Sequence, residues 1–138
     1  MTQLDEVLET IRRSFELGRS GLFEEFSELH AENYTRFSDL PPLRLQDRDE
    51  ALKLKASLLS ELVDFEYEIV NPSIQLMGNI ALALFYMRYK GLAVNDYAFE
   101  GQRVEATVRC SVLLQKTVQG WKIVHEHLSK AHESFLPD

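Results

Sequence analysis

The chain alternates between two hydrophobic periods. Leu4, Val7, Leu8, Ile11 and Phe15 recur at helical spacing, which predicts an amphipathic first helix closed by Gly18. Ser20 is placed to cap a short second helix carrying Leu22, Phe23, Phe26 and Leu29. Asn33 to Phe37 reads as a short strand, stopped by Pro41-Pro42. Asp47 followed by Glu50 resembles a capping box and opens a third helix, with Ala51, Leu54, Leu58 and Leu62 on its buried face. The period then drops to 2: Phe65, Tyr67 and Ile69 alternate with Asp64, Glu66 and Glu68. Across Asn71-Pro72 the apolar positions switch from odd to even numbers, which predicts a bend or bulge. Gly78-Asn79 marks a hairpin, and Ile80 to Tyr89 is apolar on both faces, as in a strand covered from both sides. A loop is expected around Asn95-Asp96, and residues from about 130 onward read as a tail.

From Gln102 to Lys116 the alternation is clean, with Val104, Ala106, Val108, Cys110, Val112 and Leu114 on one face. The last strand is Trp121 to Ser129. Gly120 suits the left-handed third position of a three-residue loop, Val118-Gln119-Gly120, pairing Thr117 with Trp121. That register sets Val112 opposite Glu126, Cys110 opposite Leu128, Leu113 opposite His125 and Ser111 opposite His127. A two-residue loop would move the strand by one and turn the histidines inward, but it would want Gly or Asn where Val118 stands. Helices first and antiparallel strands after is an α+β pattern: N-terminal helices packed on a strongly bent antiparallel sheet that encloses a pocket.

The 138 residues fit a single domain, and 45% hydrophobic content suffices for a real core. The net charge of −7, with no basic cluster, argues against nucleic acid. No apolar run approaches a membrane span, and the start lacks the pattern of a signal peptide. One cysteine, Cys110, cannot form an internal disulfide. A cytoplasmic location is the expectation, with no cofactor.

Two segments resemble a known family. Asn71-Pro72-Ser73-Ile74-Gln75-Leu76-Met77-Gly78 and Trp121-Lys122-Ile123-Val124-His125-Glu126-His127-Leu128-Ser129 are similar to sheet motifs of the calcium/calmodulin-dependent protein kinase II association domain. That domain lies within the SnoaL-like, nuclear transport factor 2-like superfamily of cone folds, which also holds ketosteroid isomerase. The resemblance implies a cone, a homodimer joined through the outer sheet face, and a pocket holding arginines. Counting from the Gly78 motif, Arg88 falls on one of those arginines, while the others fall near Val112 and on Leu128.

The expected pocket lining is Tyr86, Arg88, Cys110, Val112, Leu114, Val124, Glu126 and Leu128. Arg88 with Glu126 reads either as a ligand-binding or proton-moving pair, or as a structural ion pair. Tyr86 offers a hydroxyl to a ligand, or packs in the core. Asp39 lies near where ketosteroid isomerase-like proteins carry a general base, and it also suits a turn before prolines. Ser111, Leu113, Ile123, His125 and His127 are the expected dimer contacts. The two histidines lack a convincing third ligand, His132 falling in the tail, so no metal site is expected. Cys110 reads as a buried structural thiol. The leading expectation is a dimer that binds an unidentified small molecule, with acid–base chemistry by Glu126 or Asp39. The alternative is a non-catalytic assembly module.

Overall fold

A computed structural model describes residues 1–93 and 102–131. Three helices, α1 (Gln3–Arg19), α2 (Phe23–Glu28) and α3 (Arg48–Glu61), pack on five strands: β1 (His30–Phe37), β2 (Val63–Met77), β3 (Ile80–Ala93), β4 (Gln102–Thr117) and β5 (Gly120–Lys130). The strands form one open sheet in the order β1-β5-β4-β3-β2. Neighbours are antiparallel except β1 and β5, which run parallel. The fold is therefore α+β as expected, but the sheet is mixed. No described helix is long and apolar enough to cross a membrane. The expected Asn95-Asp96 loop and His132 lie outside the described residues.

Three local readings change. Gly18 does not end α1 but lies buried inside it, where a Cβ would stand 2.6 Å from Leu59 Cδ1. It is a contact glycine that lets α1 approach α3. Ser20 is the C-cap of α1, and α2 starts from Leu22 without a side-chain cap. On α3, Asp47 does accept the Glu50 N–H, at 3.0 Å. The buried face, however, is Ala51, Leu52, Lys55 and Leu59, while Leu54 is 39% exposed. The helix is turned so that Lys55 points inward together with Leu52 and Leu59.

The strands follow their patterns. Phe65 is buried, Tyr67 and Ile69 are half-buried, and the pairing of β2 with β3 shifts between Val70 and Ser73. That shift is the bulge at Asn71-Pro72. Ile69 then lies opposite Met87 and Ile74 opposite Ala83, both pairs facing the core.

The last hairpin combines two deviations that cancel. Thr117 pairs with Gly120, so the loop has two residues, although Gly120 does take positive φ (102°). A second irregularity follows: Leu114 lies opposite Ile123 but Leu113 lies opposite His125, leaving Val124 as the extra residue of a bulge. Beyond it the expected register holds, with Val112 opposite Glu126, Cys110 opposite Leu128 and Ser111 opposite His127. Ile123, before the bulge, is buried in the core, so it is not an outer-face contact.

Candidate functional site

Residues directly opposite in a ladder point to the same face. Phe85 lies opposite Cys110 and Ala83 opposite Val112, so the odd residues of β3 line the inner face. This overturns the placement of Tyr86 and Arg88. Both stand on the outer face, where Arg88 is exposed opposite Thr107. The expectation took Arg88 inward by counting along the family resemblance and Tyr86 with it, but the pairing joins the even inner residues of β4 to odd residues of β3. Cys110, Val112, Leu114, Glu126 and Leu128 do face the helices and are buried. They pack as core, and burial pushes the Cys110 thiol up. Val124 is half-buried at the bulge.

Glu126 is 2% exposed, and its partner is Lys55 of α3 rather than Arg88. Glu126 Oε1 accepts from Lys55 Nζ at 2.7 Å and from the Tyr34 hydroxyl at 2.5 Å. Lys55 also reaches Ser14 Oγ at 3.2 Å and His30 Nε2 at 3.1 Å. The roles of these groups are fixed by their other bonds. His30 Nδ1 lies 2.8 Å from the Phe26 carbonyl, which only accepts, so Nδ1 carries the proton and Nε2 presents a lone pair. Ser14 gives its hydroxyl proton to the Ile11 carbonyl. Lys55 thus meets three acceptors, the full complement of an ammonium. The Phe15 and Phe26 ring centroids stand 5.3 and 5.6 Å away.

The electrostatics agree. Burial and the Lys55 charge push His30 down to about 3, so it is neutral. Burial works to raise the Glu126 carboxyl, but Lys55 and Arg36 outweigh it and hold it at about 2. Burial lowers Lys55 to about 8 against the pull of Glu126, which leaves it charged at neutral pH. This cage joins α1, α3, β1 and β5 within the core between the helices and the sheet.

The rim is different. Asp39, 8% exposed, follows β1, and its Oδ2 accepts from the Tyr89 hydroxyl at 2.9 Å. Its Oδ1 has no partner among the described residues. Arg36 Nε and Gln46 Oε1 are likewise buried without partners. Burial opposes the Arg36 charge, but Tyr34, Glu126 and Asp39 outweigh it and raise its pKa. A hollow of about 390 Å³ adjoins Tyr89, lined also by Leu40, Val104, Ala106, Thr107 and Lys130. Burial, then the Asp39 charge, drives the Tyr89 hydroxyl up, so it stays protonated.

The family model of the SnoaL-like domain matches residues 7–133. The chain belongs to this family. No curated protein matches this SnoaL-like domain. Among solved structures it is similar to a proposed dehydratase of the NTF2-like family from Streptomyces avermitilis, at 18% identity and TM-score 0.78, covering 94% of this chain and 96% of that one. It is also similar to the CaMKII hub of S. rosetta, at 20% identity and TM-score 0.73, covering 92% and 95%. A third is an uncharacterized protein with a cystatin-like fold from Caulobacter vibrioides, at 17% identity and TM-score 0.72, covering 95% and 91%. At these identities the likeness carries the fold alone.

On the outer face, His125 is half-buried and His127 exposed. Thr35 Oγ1 lies 2.8 Å from His125 Nδ1, and the Phe37 ring packs against both imidazoles. Ser111 and Leu113 share this face and are half-buried. Reading the sequence missed Lys55, Tyr34, Arg36 and Tyr89. Only Lys55 left a usable signal: it lies on the stripe Ala51, Leu52, Lys55, Leu59, where a charge within an apolar face asks for a buried partner.

Proposed function

We propose that this SnoaL-like domain binds a small organic molecule at the rim of the cone, with Asp39 as the group that takes or returns a proton. The carrying observation is the Asp39–Tyr89 pair beside the hollow. A buried carboxylate has one oxygen held by a tyrosine hydroxyl and the other free of partners among the described residues. That arrangement fixes the carboxylate and leaves one oxygen without a partner, as a general base requires. The hollow suits a ligand of about the smallest size that pockets take. Glu126, the other candidate base, is the anion of the Lys55 cage and has no such free role. The test is a screen of small organic compounds by ligand-observed NMR on the wild type and on Ala106→Trp, which fills the hollow. Hits that vanish in Ala106→Trp support the reading. An empty screen, or hits that bind the variant equally well, defeats it.

A second reading is self-association through the outer sheet face. Leu82, Leu84, Tyr86, Leu113, Val124 and His125 are only half-covered in the single chain, and the similar S. rosetta structure is a CaMKII hub. Sedimentation of the wild type against Leu113→Glu tests it. A homodimer that the substitution dissociates is expected; a wild-type monomer rules it out.

A further inference from the structure

The sheet register assigns one charged side chain to the hollow beside Tyr89. Tyr89 lies opposite Ala106, and Lys130 lies opposite Val108. Val108 and Tyr89 are both buried, so this is the inner face, and Lys130 belongs to it. Along the inner face of β5, Glu126 and Leu128 are buried, while Lys130, the last residue of the strand, is exposed. The next residue, Ala131, donates its N–H to the Thr107 carbonyl at 2.8 Å, which holds this end of β5 against β4. A lysine so placed can lay its methylenes on apolar surface and keep its ammonium at the water.

Lys130 lines the hollow together with Leu40, Val104, Ala106 and Tyr89, and it is the one cation in that lining among the described residues. The lining also includes one anion, Glu105. Glu105 stands on the outward row of β4, opposite Lys90, and its carboxylate lies 3.5 Å from Arg103 Nε. Lys130 has no ion-pair partner among the described residues.

An apolar wall with one unpaired ammonium at its edge fits a ligand built the same way, with an apolar body and a single negative charge at one end. A carboxylate answers one ammonium. A phosphate dianion would want a second cation, which the lining does not supply, and an ammonium would be repelled. We propose that Lys130 is the specificity-determining residue of the rim site, and that it selects a monoanionic organic acid with an apolar body. This rests on the rim reading above and adds to it the charge of the ligand. The placement is this chain's own. Where the family resemblance implies an arginine in the last strand, this chain has the buried Leu128, and the cation stands one inward position further along. The surrounding field works against an acid, since the net charge is −7 and Asp39 accepts from the Tyr89 hydroxyl behind the hollow. A preference for the acid therefore has to come from Lys130.

The experiment is an NMR titration of the whole chain with 3-phenylpropanoate, 3-phenylpropanamide and 3-phenylpropylammonium. It follows the methyl groups of Leu40, Val104 and Ala106, which report on the hollow. In the wild type the acid should bind about fivefold tighter than the amide, and the amine weakest. Added salt should shrink that preference, because the pair meets solvent. Lys130→Met should bring the acid down to the affinity of the amide while the amide binds as before, which shows the hollow intact. Lys130→Arg should keep the preference, and Lys130→Glu should turn it towards the amine. An acid that binds the wild type no tighter than the amide, or a preference that survives in Lys130→Met, overturns the inference and leaves the rim reading standing. If no compound moves the hollow methyls, the rim reading falls and takes the inference with it.

Discussion

Replacing Lys55 with methionine should be among the most damaging single substitutions in the helical layer. The side chain is 1% exposed, and its ammonium is the main cationic partner of Glu126, itself 2% exposed. Methionine matches the stem but leaves the carboxylate in the interior with the Tyr34 hydroxyl as its one remaining hydrogen bond among the described residues. Breaking a buried pair in this way costs about 3–5 kcal/mol, a large share of the roughly 5–15 kcal/mol available to a domain. In a chain of this size that corresponds to a fall in Tm of roughly 10–20 °C. The companion variant, Lys55→Met with Glu126→Gln, removes both charges and lets the glutamine carbonyl accept from Tyr34. It should recover at least about 2 kcal/mol of the loss, because replacing a buried pair with neutral groups is often nearly free. Urea unfolding of the wild type, both single variants and the double gives the coupling directly. A loss under about 1 kcal/mol for Lys55→Met, or additive single effects in the double, would refute the cage as described.

The same geometry sets three other expectations. Stability should fall as pH drops from 6.5 towards 3, because the unfolded chain protonates His30 at its ordinary 6.5 while the folded chain holds it at about 3. Glu126, lowered from 4.5 to about 2, adds a second loss as pH falls through that interval, and Tm measured against pH should show His30→Gln flattening the upper part of the slope. Deleting Val124 should close the bulge into a regular ladder, with His125 still opposite Leu113 and Glu126 still opposite Val112, so calorimetry should show cooperative unfolding kept at a cost of about 1–3 kcal/mol, and loss of cooperativity would contradict the register. Gly18→Ala should destabilise by about 1–3 kcal/mol in urea despite the better helix former, since the new methyl meets Leu59 at 2.6 Å.

The sequence was most readable where one face is apolar over many residues. The alternation of β4 identified Cys110, Val112 and Leu114 as inward, and the parity change at Asn71-Pro72 located its bulge. The resemblance to the family was carried by sheet segments, and the sheet is where it held. What stayed hidden depends on contacts between distant elements. The parity of β3 against β4 is set by their pairing, and the sequence between them does not encode it, so Arg88 and Tyr86 were placed on the wrong face. The bulge at Val124 has no proline or glycine to announce it. The inward turn of Lys55 is decided by Glu126, 71 residues away. The rim site escaped for a related reason: Asp39 and Tyr89 come from the segment after β1 and from β3, and only the fold brings them together.

In the proposed mode, ligand sits beside Tyr89 and Asp39 while the Lys55–Glu126 pair stays joined. A crystal structure with the tightest-binding compound from the screen tests this most directly. Density is expected beside Tyr89 and Asp39, against Leu40, Val104 and Ala106, with the Lys55–Glu126 pair still joined. Density between Val112, Leu128 and Glu126, with Lys55 displaced, would contradict it.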